Sequence, residues 1–314
     1  MQQWGDNYWE TYSPVVNMLS VRLLLAITKI FKLESKAIDF VLAFPQADLD
    51  EDIWMYLPIG FQVDGETEED SERSYVLKLN KSLYGLKQAS FNWYEKLKTG
   101  LEDRGFTSSK IDPCMYFKMG MIVLTYVDDC IIVGNSMQHI DQLVSSMQNG
   151  PENFILTDEG DIDKFLGINI KHISDNKFEL SQPYLIERIV SLLGLKDNEF
   201  DVESNPKSTP VGKPVLNKDL EGKPRKLPWK YRTAVGMLNY LQYNTRPEIS
   251  MAVHQTARLC NGPKLCHEKA VMRLGRYLLH TIDRGIIFEP DTTKGLECYV
   301  NADFCRWMVT SRLR

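Results

Sequence analysis

The chain has 314 residues, 43% hydrophobic and 25% charged, with a formal net charge of −5. This balance fits a globular protein with room for two or three domains. It excludes a disordered or collagen-like chain and gives no global basic sign of a polyanionic partner. Six cysteines without a C-x-x-C pair supply no zinc or disulfide framework and fit a reducing compartment.

VRLLLAITKIF (21–31) is too short to span a bilayer and carries Arg22 and Lys29; following Ser13-Pro14, it reads as a core helix. KAIDFVLAF (36–44) reads as a strand with one charge, Asp39, in its interior. Acidic residues then crowd between Asp48 and Glu72, interrupted by the strand-like IWMYL (53–57); 64–72 reads as a solvated loop. YVLKLN (75–80) is a further strand. SFNWYEKLKTGLEDRGF (90–106) is a helix, with Tyr94, Leu97 and Leu101 at helical spacing and Gly105 at its end. In MIVLTYVDDCIIVG (121–134), two apolar runs flank V-D-D, as in a β-hairpin. MQHIDQLVSSMQN (137–149) is helical. Residues 164–173 and 177–181 form a strand pair. Alternation there puts Phe165, Gly167 and Asn169 on one face and Leu166, Ile168 and Ile170 on the other. QPYLIERIVSLLGL (182–195) is a helix that stops at Gly194.

Residues 206–232 hold five prolines and eight Lys or Arg against Asp219 and Glu221, which reads as a basic, extended linker and a domain boundary. Helices follow over 230–243, 247–260 and 267–280. The last sets Lys269, Arg273 and Arg276 on one face and Val271, Leu274 and Leu278 on another. Such a basic face is either solvated or, beside a basic linker, able to track a phosphate backbone.

The hairpin at 121–134 has two readings. Asp128 and Asp129 can be ordinary turn formers, or they can present carboxylates to a divalent cation. The metal reading needs a third carboxylate on a rigid strand. Asp39 is the candidate, because an interior strand Asp is expensive to bury without a cation. If 36–44 lies beside the hairpin, Asp39, Asp128 and Asp129 converge, a recurring arrangement for two cations about 4 Å apart in phosphoryl or nucleotidyl transfer.

Seven stretches then share one order: NYWETYSPVVNMLSVRLLLAI, IDFVLAFPQADLDEDIWMYLPIGF, KLNKSLYGLKQASFNWYEKL, YVDD, FLGINI, LSQPYLIERIV and YRTAVGMLNYLQYNTRPEISMAV. In this combination the chain resembles the reverse transcriptase region of copia-type LTR-retrotransposon polyproteins, over essentially its whole length. The resemblance implies an α+β right-hand polymerase. Partial fingers and palm would span 1–175, a thumb 176–205, the linker 206–229, an α/β connection region 230–295 and a truncated ribonuclease H-like stub 296–314. It implies an RNA-directed DNA polymerase using dNTPs, an RNA or DNA template-primer duplex and two Mg2+ or Mn2+ ions. Asp39, Asp128 and Asp129 would be the metal triad, with the Phe40 carbonyl as a further ligand. Backbone amides of Val41, Leu42, Ala43 and Phe44 would face the triphosphate, and the Phe44 ring would block a ribose 2′-hydroxyl. Tyr84, Gly85, Lys87 and Gln88 would wall the incoming nucleotide. Phe165, Leu166 and Gly167 would hold the primer end, with Tyr126 near its terminus. The implied location is intracellular: cytoplasmic, in a virus-like particle of the parent element, or nuclear.

Three departures from the family pattern bear on activity. The basic fingers strand that precedes the first segment in the family is expected to be missing, which would leave a sheet edge unpaired. ECYVNADFCRW resembles the opening of a ribonuclease H domain, but Asn301 stands where its first catalytic Asp is expected, Asp303 is retained and MVTSRLR leaves the pattern. No ribonuclease H activity is expected. Phe91 replaces a basic residue. The alternative is a catalytically inactive, nucleic-acid-binding remnant of the same element; a third reading is a β-hairpin protein with no metal site.

Overall fold

The structure is a computed structural model that describes residues 2–61, 63–65, 67–68, 74–196, 206–212, 215–291 and 293. The expected stub at 296–314, with Asn301 and Asp303, lies outside the described residues, as do 197–205 of the expected thumb and much of the acidic loop.

The fold is α+β. Its main sheet joins β1 (Glu34–Phe40), β4 (Thr107–Ser108), β5 (Met115–Lys118), β6 (Met121–Tyr126), β7 (Asp129–Gly134) and β8 (Leu156–Gly160) in the order β4-β5-β6-β7-β1-β8. The small ribbon of β2 (Trp54–Tyr56) and β3 (Val76–Lys78) stands apart. Central strands are buried on both faces, which is why CIIV in β7 shows no polar alternation: Cys130, Ile131, Ile132 and Val133 are all buried. One face carries Ile38, Phe40, Val123 and Ile132 against α3 (Ala89–Asp103) and α4 (Met137–Asn149), through Trp93, Leu97, Leu101, Ile140 and Val144. The other carries Ala37, Leu124, Ile131 and Val133 against Val21, Leu24 and Leu25 of α1 (Met18–Ile30). Helix α1 is started by the Asn17 side chain, which accepts the Leu19 amide.

A second sheet packs on the α1 side. Its order is β12-β11-β10-β9, from β9 (Lys164–Phe165), β10 (Ile168–Ser174), β11 (Lys177–Ser181) and β12 (Ile286–Phe288). A third core gathers α5 (Pro183–Leu192), α6 (Tyr231–Asn244), α7 (Ser250–Ala257) and α8 (Leu265–Leu279) around Leu238, Leu241, Val253, Leu274 and Leu278. Among the described residues no helix is long and apolar enough to cross a membrane.

The structure departs from the expected elements in four places. The strand expected over 36–44 ends at Phe40; Leu42 turns left-handed with φ 50° and starts the short α2 (Ala43–Gln46). The alternation expected over 165–170 is broken by a two-residue turn, so Phe165 and Ile168 face each other and both are buried. The basic stretch is extended but packed. Glu268, itself buried, accepts the amides of Lys226 and Leu227, and Arg225 lies 4.2 Å over the Trp229 ring. Arg273, on the face expected to be either solvated or tracking a phosphate backbone, donates to the Thr209 carbonyl and hydroxyl.

Candidate active site

Strands β1 and β7 run antiparallel with Asp39 directly opposite Asp129, and the Phe40 amide donates to the Asp128 carbonyl at 2.9 Å. A bond at the neighbouring pair makes Asp39–Asp129 a non-hydrogen-bonded pair, the kind whose Cα atoms approach to about 4.5 Å. Tyr126 faces Asp129 from β6, and Thr157 faces Asp39 from β8. Tyr126, Asp129, Asp39 and Thr157 thus form one row across four strands, on the α1 face of the sheet. Asp128 lies in the two-residue turn at the end of that row.

The turn is held in a costly conformation. Val127 has φ 53°, which a β-branched residue rarely adopts. Its carbonyl accepts the indole N–H of buried Trp93 at 2.7 Å. The Trp93 ring is itself wedged edge-on against Phe40 and Phe154, with centroids at 5.1 and 6.0 Å. The aromatic cluster on the far face of the sheet therefore fixes the loop that carries Asp128.

The carboxylates repel one another. Burial first, then the charges of Asp128, Asp39 and Glu159, pushes Asp129 up to about 6, with Lys164 partly opposing. Asp39 is raised in the same way, by burial first and then by Asp128 and Glu159. Like charges facing across a strand pair destabilise it unless a cation lies between them. Among the described residues, no three His, Cys, Asp or Glu side chains stand close enough as they lie to hold a metal ion. Strand register thus sets Asp39 opposite Asp129 beside the turn that carries Asp128, without a closed ligand set among the described residues. Oxygen donors with raised proton affinity are the chemistry a hard divalent cation takes.

The residues expected on the nucleotide side divide into two groups. Phe44 and Tyr84 pair with ring centroids 4.6 Å apart. The Tyr84 phenol is raised by burial and then by Asp128 and Asp39, so it stands in the field of the carboxylates. Gly85, at φ 102°, takes a backbone conformation that favours glycine, and Lys87 is exposed. Two others are committed to hydrogen bonds within the chain. The Val41 amide is committed to the Ile155 carbonyl at 3.0 Å. Gln88 is fully buried; its amide accepts from Gln2 and donates to the Asn7 carbonyl. Both brace the loops behind the site. Gln46 was not singled out by the sequence, yet it stitches the same region, donating to the carbonyls of Val41 and Ile155 and accepting the Ile155 amide.

Of the residues expected to hold the primer, Phe165 is buried in the α1-face core, and Tyr126 and Leu166 pack on its margin. Leu166 and Gly167 form the turn between β9 and β10, with φ 50° and 71°. Tyr240 of α6 donates from its hydroxyl to the Leu166 carbonyl at 2.9 Å. Nothing local in the sequence signals that contact, which joins positions 74 apart.

Residues 1–212 match the reverse transcriptase (RNA-dependent DNA polymerase) family. The chain is 35% identical, over 96% of its length, to a retrovirus-related Pol polyprotein from transposon TNT 1-94 of Nicotiana tabacum. It is 32% identical, over the same share, to one from transposon RE1 of Arabidopsis thaliana. The chain spans only 22% and 20% of those two polyproteins. A putative transposon Ty5-1 protein of Saccharomyces cerevisiae is 26% identical over 83% of the chain, and 81% of that protein is covered.

Proposed function

The chain belongs to the reverse transcriptase family of copia-type retrotransposons, and from that premise we propose that it is an RNA-directed DNA polymerase extending a primer by two-metal nucleotidyl transfer. The observation that carries this reading is the register of Asp39 on Asp129, with Asp128 at the adjoining turn. In this reading the main sheet with α3 and α4 is the palm, the β2–β3 ribbon belongs to the fingers, and α5 opens the thumb.

Asp39, Asp128 and Asp129 would hold the ions, with the Phe40 carbonyl as a further ligand. Bound there, Mg2+ or Mn2+ would lower the pKa of the primer 3′-hydroxyl and neutralise the departing pyrophosphate. The 3′-oxygen forms its bond to the α-phosphorus as the bond to pyrophosphate breaks, and no side chain is needed as nucleophile. The chain's own residues orient the reactants. The amides of Leu42, Ala43 and Phe44 face the triphosphate, with Val41 anchoring them from behind. Phe44, supported by the Tyr84 ring, closes the space a ribose 2′-hydroxyl would occupy. Tyr84, Gly85 and Lys87 line the nucleotide, and Gln88 holds that segment against the amino-terminal residues. Tyr126, Phe165, Leu166 and Gly167 hold the primer end.

Primer extension on an RNA template, with Mg2+ or Mn2+, tests the reading. Asp39→Asn is expected to lower incorporation at least 100-fold, and Phe44→Ala to admit ribonucleotides that the wild type rejects. A folded wild-type chain that binds the duplex but adds no nucleotide would leave the inactive-remnant reading in its place.

A further inference from the structure

We infer that Tyr240 is a positioning residue for the 166–167 turn, through which the carboxy-terminal helices set the placement of the primer end. The inference rests on the polymerase reading above and adds a residue to its machinery.

The turn does not hold itself. Two-residue hairpin turns with both central φ positive are ordinarily built from Asn-Gly or Gly-Gly. Here the first position is Leu166, at φ 50°. A side chain in that region costs roughly 1–2 kcal/mol, so some contact outside the turn has to hold the conformation. The Tyr240 hydroxyl supplies one, donating to the Leu166 carbonyl. The contact is partly dry: burial raises the Tyr240 phenol, and Tyr126 adds to the shift. Tyr126 sits beside Asp129 in the strand register. Tyr240 therefore holds the turn from a position close to the strand row that bears the carboxylates.

The helix behind Tyr240 is fixed to the same body at a second point. Arg22 of α1 donates to the carbonyls of Tyr243 and Asn244 at the end of α6, and its guanidinium lies 5.7 Å over the Tyr243 ring. Arg22 and Tyr240 thus pin the carboxy-terminal end of α6 to α1 and to the 166–167 turn of the second sheet. Just past the same end the fully buried Arg246 donates to the Thr281 carbonyl and hydroxyl, tying that end of α6 to the residues after α8. A shift of the helical layer would reach the turn through the Tyr240 hydroxyl.

The test uses the full chain, wild type and Tyr240→Phe, in steady-state incorporation of dTTP on poly(rA)/oligo(dT), with amide hydrogen exchange measured over 164–168. Losing one hydrogen bond of ordinary net worth predicts a kcat about 3- to 10-fold lower. KM for dTTP is expected to be unchanged, because the nucleotide side is untouched. Exchange over 164–168 is expected to rise, with exchange in α6 unaltered. A merely structural role would loosen α6 as well or leave kcat in place. Equal kcat in an active pair of proteins overturns the inference and leaves the polymerase reading standing. Unaltered exchange over 164–168 overturns it whatever the activity. A wild type that incorporates nothing overturns the polymerase reading and the positioning role together.

Discussion

Ionising Asp129 costs the fold stability, and the sign is fixed by the direction of its shift. Its folded pKa is about 6, against about 3.9 for an unperturbed aspartate. The folded state therefore holds the proton more tightly than the unfolded one. The stabilising contribution is complete below about pH 4 and is lost as pH rises through 6. Two units correspond to about 3 kcal/mol, but the side chain is partly exposed, and solvent screening reduces the effect to about 1 kcal/mol. In EDTA, thermal melts of wild type and Asp129→Asn should therefore diverge between pH 4 and 7, the variant gaining a few degrees on the wild type as pH rises. At pH 7, millimolar Mg2+ should raise the wild-type midpoint by linkage and leave Asp39→Asn unmoved. A wild-type curve parallel to that of Asp129→Asn would remove the electrostatic account of the site.

The β6–β7 hairpin stores strain at Val127, and its neighbours hold that strain in place. Val127→Asn puts a residue that tolerates positive φ at that position and should stabilise the chain by about 1 kcal/mol in denaturant titrations. Trp93→Phe keeps the aromatic packing but leaves the Val127 carbonyl without its donor; a loss of about 1–2 kcal/mol is expected. Elements with a clear period were legible in the sequence: α4 falls on 137–149 as expected, and α3 covers most of 90–106. Asp39 was legible because a charge inside an apolar strand demands an explanation. The end of β1 was not, because FVLAF continues the apolar run and nothing in it marks Leu42 as left-handed. The 166–167 turn was missed for the same reason, since Leu-Gly is a weak turn signal and the alternation seemed to continue. Gln46 and Tyr240 were invisible because their partners are mostly backbone carbonyls, which leave no side-chain pattern, and Ile155 and Leu166 lie far away in sequence.

Arg22 and Tyr240 join the helical core to α1 and to the second sheet, so single residues should couple them. Arg22→Ala removes the donor to two carbonyls at the end of α6 and should cost about 1–3 kcal/mol, read as an earlier unfolding of α6 in hydrogen exchange. Net charge is −5, yet the 206–232 stretch concentrates basic residues. Part of that stretch is committed internally, through Arg225 to Glu268. Template-primer affinity should still fall steeply between about 50 and 200 mM salt if the remaining cations meet phosphates. The measurement that tests the central claim most directly is incorporation of labelled dTTP on poly(rA)/oligo(dT), with Mg2+ and Mn2+, by wild type and Asp128→Asn. The account predicts template-dependent incorporation by the wild type and none above background by the variant. Equal incorporation by both, or none by a folded wild-type chain that binds the duplex, would contradict it.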